Sequence, residues 1–300
     1  MNVAVTGGSG FIGSELCLKL LEKKHKVFIY DITEPNKELD HDNLTFYNLD
    51  LLNKDEVNKA FKNIDIVFHL AGVVLGGMKK NPQLGIELNI MGTMNVLESC
   101  RINDIKKIMV ASTFYVYDCI KNLDTVSENT TLNIMESSYF GASKIMDELI
   151  TRRFCEQNLI KFNILRFGSV YGAGKASNSV KKFITNTINK VETEVWGRGN
   201  RKNQFTYVKD IADGCILALE KNIWGNILNL VSPQLTSTKN LANIIEKKFG
   251  GKFYFDESKK EGTSFVKISS DNTIKTLGWN PKPIEFWIDS VYNDIKKQLV

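Results

Sequence analysis

Histidine is scarce in this sequence, and cysteine does not occur at the spacings that bind metal ions. The 300 residues include three histidines and five cysteines. The cysteines form no Cys-x-x-Cys pair and are far apart, at Cys17, Cys100, Cys119, Cys155 and Cys215. This distribution predicts reduced, mostly buried thiols and no bound metal.

Long hydrophobic runs and extreme charge are also missing. The most apolar stretch, residues 64–75, is interrupted by Asp65 and His69 and is too short to span a bilayer. The opening MNVAVTGGSG has no basic segment followed by an apolar one, as a secretory signal would. The net charge of +5 comes mostly from scattered lysines, without the aromatic and basic pattern of RNA binding. We therefore expect a cytoplasmic protein that binds neither nucleic acid nor membrane.

The first half of the chain alternates short apolar runs with longer amphipathic ones. Candidate strands are Asn2–Thr6, Lys26–Tyr30, Leu44–Tyr47, Ile66–Leu70, Lys107–Ala111 and Phe162–Phe167. Helical patterns lie between most of them, at Phe11–Lys24, Lys54–Phe61, Gln83–Arg101 and Tyr139–Gln157. The alternation predicts an α/β fold of the Rossmann type, with a doubly wound parallel sheet.

A glycine motif follows the first predicted strand directly and opens the first predicted helix. Its residues are Gly7, Gly10, Phe11, Ile12 and Gly13, in a Gly-x-x-Gly-x-x-Gly pattern. Such glycines permit a tight turn and close approach of a pyrophosphate, to which the helix N-terminus offers N–H donors and a positive dipole. The motif therefore predicts a dinucleotide cofactor.

Two carboxylates at later strand ends refine this prediction. Asp31 ends the second strand, where an acidic residue binds the adenosine ribose hydroxyls and repels a 2′-phosphate. Asp50 follows the third strand and is expected near the adenine. The cofactor predicted is thus NAD rather than NADP.

We assign residues 1–167 to an NAD-binding Rossmann domain and 168–300 to a smaller, discontinuous substrate-binding lobe, with a helix in 206–222 packing back on the first domain.

Seven further segments resemble the NAD-dependent epimerase/dehydratase family, the extended short-chain dehydrogenase/reductases, over nearly the whole chain. The segments are 50–51, 69–72, 89–97, 111–117, 166–172, 205–210 and 277–281. The resemblance implies that the cofactor is also contacted by Asp50, Leu51, Leu70, Ala71 and Gly72. His69 is expected to be structural rather than catalytic, since a lone histidine needs a partner to act as an acid or base.

In this family a Ser or Thr, a Tyr and a Lys four residues after the Tyr surround the sugar carbinol and the nicotinamide. The resemblance gives Thr113 and Lys144 two of these roles, and Lys144 also binds the nicotinamide ribose. The tyrosine position departs from the pattern, because Phe140 stands four residues before Lys144 and Tyr139 precedes it.

Three explanations of this departure are open. Phe140 replaces the tyrosine, with Tyr139 about 100° away around the helix, and we favour this because helical insertions are rare. Alternatively, Phe140 is an insertion, and a π-type widening returns Tyr139 to the face of Lys144. In the third explanation Tyr115, two residues after Thr113, moves the proton.

Family dehydratases carry an Asp-Glu pair where this chain has Phe114 and Tyr115, which argues against 4,6-dehydration.

The substrate side differs from the family as well. Ser169 stands where the family often has a substrate-contacting asparagine, and Arg201 lies in a loop from which its guanidinium could bind a diphosphate or simply face solvent. The resemblance implies an NAD-dependent epimerase of a nucleotide-diphosphate sugar, acting at C4. A nucleotide-sugar 4-keto reductase and a non-catalytic NAD-binding sensor or subunit are the alternatives. A homodimer is expected, through Gln83–Arg101 and Tyr139–Gln157.

Overall fold

A computed structural model describes residues 1–174, 178–262 and 264–299. Its centre is an all-parallel sheet of seven strands in the order β7-β6-β5-β4-β1-β2-β3. The strands are β1 (Asn2–Thr6), β2 (Lys26–Asp31), β3 (Leu44–Asn48), β4 (Ile66–His69), β5 (Lys107–Thr113), β6 (Lys161–Phe167) and β7 (Asn226–Leu230). Every residue of β4 is buried, as expected for a central strand covered on both faces.

The described residues form eleven α-helices. They are α1 (Phe11–Glu22), α2 (Lys54–Ala60), α3 (Leu75–Lys80), α4 (Pro82–Ile86), α5 (Thr93–Ile102), α6 (Tyr139–Gln157), α7 (Ser179–Ile188), α8 (Val208–Glu220), α9 (Thr238–Phe249), α10 (Asp271–Leu277) and α11 (Ile284–Leu299). One apolar core joins the sheet to α1 and α8, and a second joins it to α2, α5 and α6. The predicted Rossmann fold is thereby confirmed. Within the described ranges, no helix combines the length and apolar character needed to cross a membrane.

The predicted helix Gln83–Arg101 is divided into three parts. A π-helical turn, Glu87–Gly92, separates α4 from α5. The Asn89 side chain in this turn binds both backbone groups of Val73, at 2.7 and 3.1 Å, and donates to the Ser143 hydroxyl at 3.1 Å. Because these bonds hold Asn89 inside the protein, they account for the local widening of the helix.

The C-terminal part of the chain adds small sheets and a third apolar core. Paired strands are Ser169–Tyr171 with Phe205–Tyr207, Thr193–Trp196 with Phe253–Asp256, Lys202–Asn203 with Thr236–Ser237, and Thr125–Val126 with Lys267–Ile268. Strand β7 lies beyond residue 167 yet completes the central sheet. Helix α8 contacts α1 through the ion pairs Lys19–Asp213 (2.5 Å) and Lys23–Glu220 (2.6 Å). The division of the chain at residue 167 into an NAD-binding domain and a substrate-binding lobe stays a prediction.

Candidate cofactor and catalytic site

The glycine motif forms a tight turn between β1 and α1. Gly7 adopts a φ of +69°, and its amide donates to the Tyr30 carbonyl in β2 at 2.9 Å. A β-carbon at position 7 would lie 2.7 Å from the Ala71 nitrogen, and one at position 13 would lie 2.1 Å from the Gly7 oxygen. Only glycine fits at either position without a shift of the backbone. The backbone of the turn at the N-terminus of α1 is therefore not covered by side chains at these two positions.

Phe11 and Ile12 follow the turn and connect it to the C-terminal part of the chain. Both pack against the third apolar core, which includes Tyr171 and Val208. The Phe11 ring fills the space beside Gly174, where a β-carbon would lie 2.2 Å from its Cδ2. The cofactor turn is therefore held against the loop after the strand Ser169–Tyr171.

Asp31 lies at the end of β2 beside this turn. One carboxylate oxygen accepts from the Ser9 amide at 3.1 Å and the other from the Thr33 amide at 3.0 Å. These bonds aim the carboxylate at the edge of the sheet where an adenosine ribose is expected. Asp50 is exposed and accepts from the Leu52 amide at 2.9 Å, while the adjacent Leu51 is buried in the second core.

The end of β4 lies between the glycine turn and α5. His69 is buried and pairs its Nδ1 with the Thr6 hydroxyl at 2.7 Å and its Nε2 with the Thr93 hydroxyl at 2.9 Å. Burial, and then the nearby Lys144 ammonium, lowers the pKa of His69 to about 3. A neutral imidazole thus connects β1, β4 and α5, and the backbone of Leu70, Ala71 and Gly72 continues past the cofactor turn.

Helix α6 places Phe140, not Tyr139, on the side of the catalytic candidates. The helix is α-helical from Tyr139 to Gln157, without the π-type widening that would bring Tyr139 round to Lys144. Tyr139 is 67% exposed, whereas Phe140 is 7% exposed and packs on Tyr115 with ring centroids 5.4 Å apart. The geometry agrees with substitution of the tyrosine by Phe140.

Asp118 fixes the start of α6. Its Oδ2 accepts from the Ser138 amide at 3.1 Å and from the Ser138 hydroxyl at 2.5 Å. Ser138 in turn caps the helix by accepting from the Gly141 amide at 3.1 Å. A β-carbon at Gly141 would lie 2.7 Å from the Tyr115 carbonyl oxygen, so the first turn of α6 rests directly on Tyr115.

Thr113 and Tyr115 lie at the end of β5, and Lys144 lies one turn further along α6 than Phe140. The Thr113 hydroxyl accepts from the Tyr115 amide at 3.3 Å. The Lys144 side chain is buried, and its ammonium pairs with Asp147. Burial raises the pKa of the Tyr115 phenol, Arg201 opposes this rise and Asp118 adds to it. Tyr115 is therefore a protonated phenol at neutral pH.

The substrate-side candidates lie beyond Tyr115. Phe265 contacts Tyr115 with ring centroids 5.0 Å apart, and Ser169 lines a small cleft with Phe114, Gln204 and Phe265. The Arg201 guanidinium faces Gly262, and its buried Nε has no hydrogen-bond partner among the residues that the structure describes. A guanidinium nitrogen without a partner is suited to bind an anionic group.

A larger cleft opens on the other side of Phe140. It has a volume of about 450 Å³ and is lined by Leu75, Met78, Lys79, Pro82, Ser137, Ser138, Tyr139 and Phe140. Of the residues that line this cleft, Tyr139 and Phe140 alone were singled out from the sequence, and no role was given to Asp147 or Phe265. Of these, Asp147 carried a detectable signal, because a carboxylate three residues after Lys144 shares its face of a helix.

The fold and the glycine turn together define a dinucleotide-binding protein of the Rossmann class. Comparison with known sequences gives the family. The sequence model of the NAD dependent epimerase/dehydratase family matches residues 3–230, and the chain belongs to that family. NAD is accordingly its cofactor, and the bare turn at Gly7 and Gly13 with Asp31 beside it fits that group.

Individual relatives agree with this membership. The chain is 31% identical over 290 residues to a putative UDP-glucose 4-epimerase of Methanocaldococcus jannaschii, covering 93% of each chain. It is 30% identical over 260 residues to a UDP-N-acetyl-alpha-D-glucosaminuronate decarboxylase of Bacillus cytotoxicus, covering 81% of this chain and 78% of that one. A UDP-glucuronic acid 4-epimerase of Bacillus cereus, solved with UDP-glucuronic acid and NAD, superimposes with a TM-score of 0.88 at 27% identity and full coverage of both chains.

Proposed function

We propose that this protein is an NAD-dependent epimerase that inverts C4 of a nucleotide-diphosphate sugar. One observation supports the proposal: Thr113 ends β5 at the carboxyl edge of the central sheet with the Tyr115 amide bonded to its hydroxyl, and Tyr115 packs on Phe140, one turn before the buried Lys144. That edge is where ligands of open α/β sheets bind. The named relatives that act on uridine diphosphate sugars support uridine diphosphate as the nucleotide.

We assign each site residue a role that fits the chemistry of its side chain. Bound NAD would supply a reversible hydride acceptor for the sugar carbon. The Lys144 ammonium binds the nicotinamide ribose, and the Thr113 hydroxyl holds the reacting sugar oxygen. Tyr115 moves the proton of that oxygen, because Phe140 has no hydroxyl and Tyr139 points away. Asp31 selects NAD by its repulsion of a 2′-phosphate, and Arg201 and Ser169 contact the substrate.

A second function, 4-keto reduction, is favoured by the protonation of Tyr115. Burial raises the pKa of Tyr115 and so keeps its proton in place at neutral pH, and reduction of a ketone needs a group that starts protonated. A third function, NAD binding without catalysis, is favoured by the replacement of the family tyrosine by Phe140. The three functions differ in which substrates exchange hydride with the cofactor.

Absorbance of the reduced nicotinamide distinguishes these functions. Purified protein with NAD is mixed with UDP-sugars, and the sugar products are separated by chromatography. We expect one sugar to produce a transient reduced signal and its C4 epimer to accumulate without net reduction. Net oxidation of NADH by a 4-keto sugar would instead establish the reductase. If neither hydroxy sugars nor keto sugars exchange hydride, the catalytic proposal is wrong.

We also propose a homodimer through α5 and α6. These helices, with the π-helical turn between α4 and α5, leave exposed apolar side chains at Met91, Ile102, Met146 and Leu149. A second copy of the chain would cover such a surface and remove it from water. Sedimentation of the purified protein is expected to give the mass of two chains, and Leu149→Glu is expected to give that of one. A wild-type monomer at micromolar concentration would contradict this proposal.

A further inference from the structure

Lys144 has a buried partner that the proposed mechanism does not use. Asp147 lies three residues further along α6, is 1% exposed and accepts a bond from the Lys144 ammonium through Oδ2. Its other oxygen, Oδ1, is buried and has no hydrogen-bond partner in the described part of the chain. Burial of a carboxylate is costly unless it is paired, so this carboxylate is held at its place by the ammonium.

The neighbouring ionisable groups leave Asp147 as the counter-charge of Lys144. Glu148, the next carboxylate, bonds both of its oxygens to the Arg166 guanidinium at 2.8 and 2.6 Å, so its charge is offset there. His69, on the strand below, is neutral because its pKa is lowered to about 3. Phe140, one turn before Lys144, carries no ionisable group.

This pairing differs in kind from a tyrosine–lysine pair. A phenol beside an ammonium carries a negative charge only after it has lost its proton, and regains neutrality when the proton returns. Burial raises the pKa of the Asp147 carboxyl, and the Lys144 ammonium opposes this rise. The ion pair between them therefore places a negative charge beside Lys144 before any proton moves in a reaction.

We propose that Asp147 is a positioning residue that offsets the Lys144 charge beside the nicotinamide and so stabilises the oxidised form of the bound cofactor. This inference rests on the proposed function, which places Lys144 at the nicotinamide ribose. The oxidised nicotinamide ring carries a positive charge and the reduced ring carries none. An ammonium without its counter-charge repels the oxidised ring but not the reduced one, and the repulsion is strong where water is excluded.

The test compares the dissociation constants of NAD and NADH, measured by calorimetry on the full chain. Asp147→Asn keeps the size of the side chain and removes its charge. It is expected to raise the ratio of the NAD to the NADH dissociation constant roughly tenfold. Asp213→Asn is the matched control, because it also removes the carboxylate of a lysine ion pair but lies on the surface between α1 and α8. The control is expected to keep the wild-type ratio.

A double-mutant cycle separates this electrostatic role from a structural one. In a Lys144→Met background, Asp147→Asn is expected to leave the ratio unchanged, because burial raises the pKa of Asp147 and, without the ammonium that lowers it, the carboxyl group takes up a proton and has no charge to remove. An equal weakening of NAD and NADH by Asp147→Asn, or an equal shift of the ratio with and without Lys144, overturns the proposal. Asp147→Ser repeats the measurement if the asparagine variant does not fold. Because cofactor binding needs no sugar, the ratio is measurable even if no hydride exchange is found, so the two failures are distinguishable.

Discussion

The ring of Phe140 packs on the ring of Tyr115 with their centroids 5.4 Å apart and their planes at 62°. One ring stands where the family has its catalytic hydroxyl, and the other carries a hydroxyl from a different element, the turn after β5. Proton transfer at this site therefore depends on whether Tyr115 performs the acid–base role that the family assigns to a tyrosine at the position of Phe140.

Removal of the Tyr115 hydroxyl tests directly whether Tyr115 is the acid–base residue. Tyr115→Phe keeps the ring contacts with Phe140 and Phe265 and is expected to lower turnover by about a hundredfold or more, as loss of a general acid or base does. Steady-state kinetics on the substrate found by hydride exchange provides the measurement. Tyr139→Phe is the control and is expected to change turnover little, because its side chain is 67% exposed at the start of α6. The reverse pattern would assign the chemistry to Tyr139.

The pH profile depends on the same phenol. Because burial raises the pKa of Tyr115 above its ordinary value, the tyrosinate needed to accept a proton forms only in strongly alkaline solution. For epimerisation, kcat/KM is expected to rise with pH up to at least about pH 10. For keto reduction, which needs the protonated phenol, kcat/KM is expected to stay level up to at least about pH 10 and to fall only above it. A rise that levels off near neutral pH would exclude Tyr115 as the base.

The glycine turn makes a prediction about cofactor binding. In Gly13→Ala the new methyl group would meet the Gly7 carbonyl at 2.1 Å, so the turn must move. We expect NAD affinity to fall at least about tenfold and the free energy of unfolding to fall by about 1–3 kcal/mol, the usual cost of overpacking. Calorimetry and urea unfolding measure the two quantities.

Gly76→Ala is the matched control for this change. Position 76 lies in α3, and a β-carbon there has no atom of the described residues within 4 Å. Because alanine favours helices more than glycine, the control is expected to keep NAD affinity and to raise the free energy of unfolding by up to about 1 kcal/mol. Equal NAD affinity in both variants would show that the turn does not hold the cofactor.

His69 makes the folded protein sensitive to acid. Its pKa is lowered to about 3 in the folded state from an ordinary 6.5, so between these values the unfolded chain binds a proton that the folded chain does not. The free energy of unfolding is expected to fall as pH falls through this window, with His69 contributing up to about 1.4 kcal/mol per pH unit. His69→Gln is expected to remove this contribution. Urea unfolding of both proteins between pH 6 and pH 4 measures it, and parallel curves would contradict the assignment.

Much of the fold was predictable because it depends on local patterns. The bounds of β1 and α6 match the predicted segments, and the other predicted strands differ by one or two residues at their ends. Apolar runs and helical periodicity are properties of neighbouring residues, so they can be read without the tertiary structure. Strand β7 was missed, because a short strand at the edge of a sheet has a weak pattern of its own.

Three features of the site could be identified from the amino-acid sequence alone: the glycine turn, Asp31 at the end of the second strand, and the lack of a tyrosine four residues before Lys144. These depend on residue identity and spacing, which the chain carries directly. The packed structure was needed to show that α6 is a regular α-helix, that the π-helical turn lies between α4 and α5, that Tyr115 lies against Phe140, and that the Lys144 ammonium pairs with Asp147. The physical reason is that burial and long-range contacts, here between the end of β5 and the start of α6, set the conformation and the charge of each side chain after the helices and strands have packed.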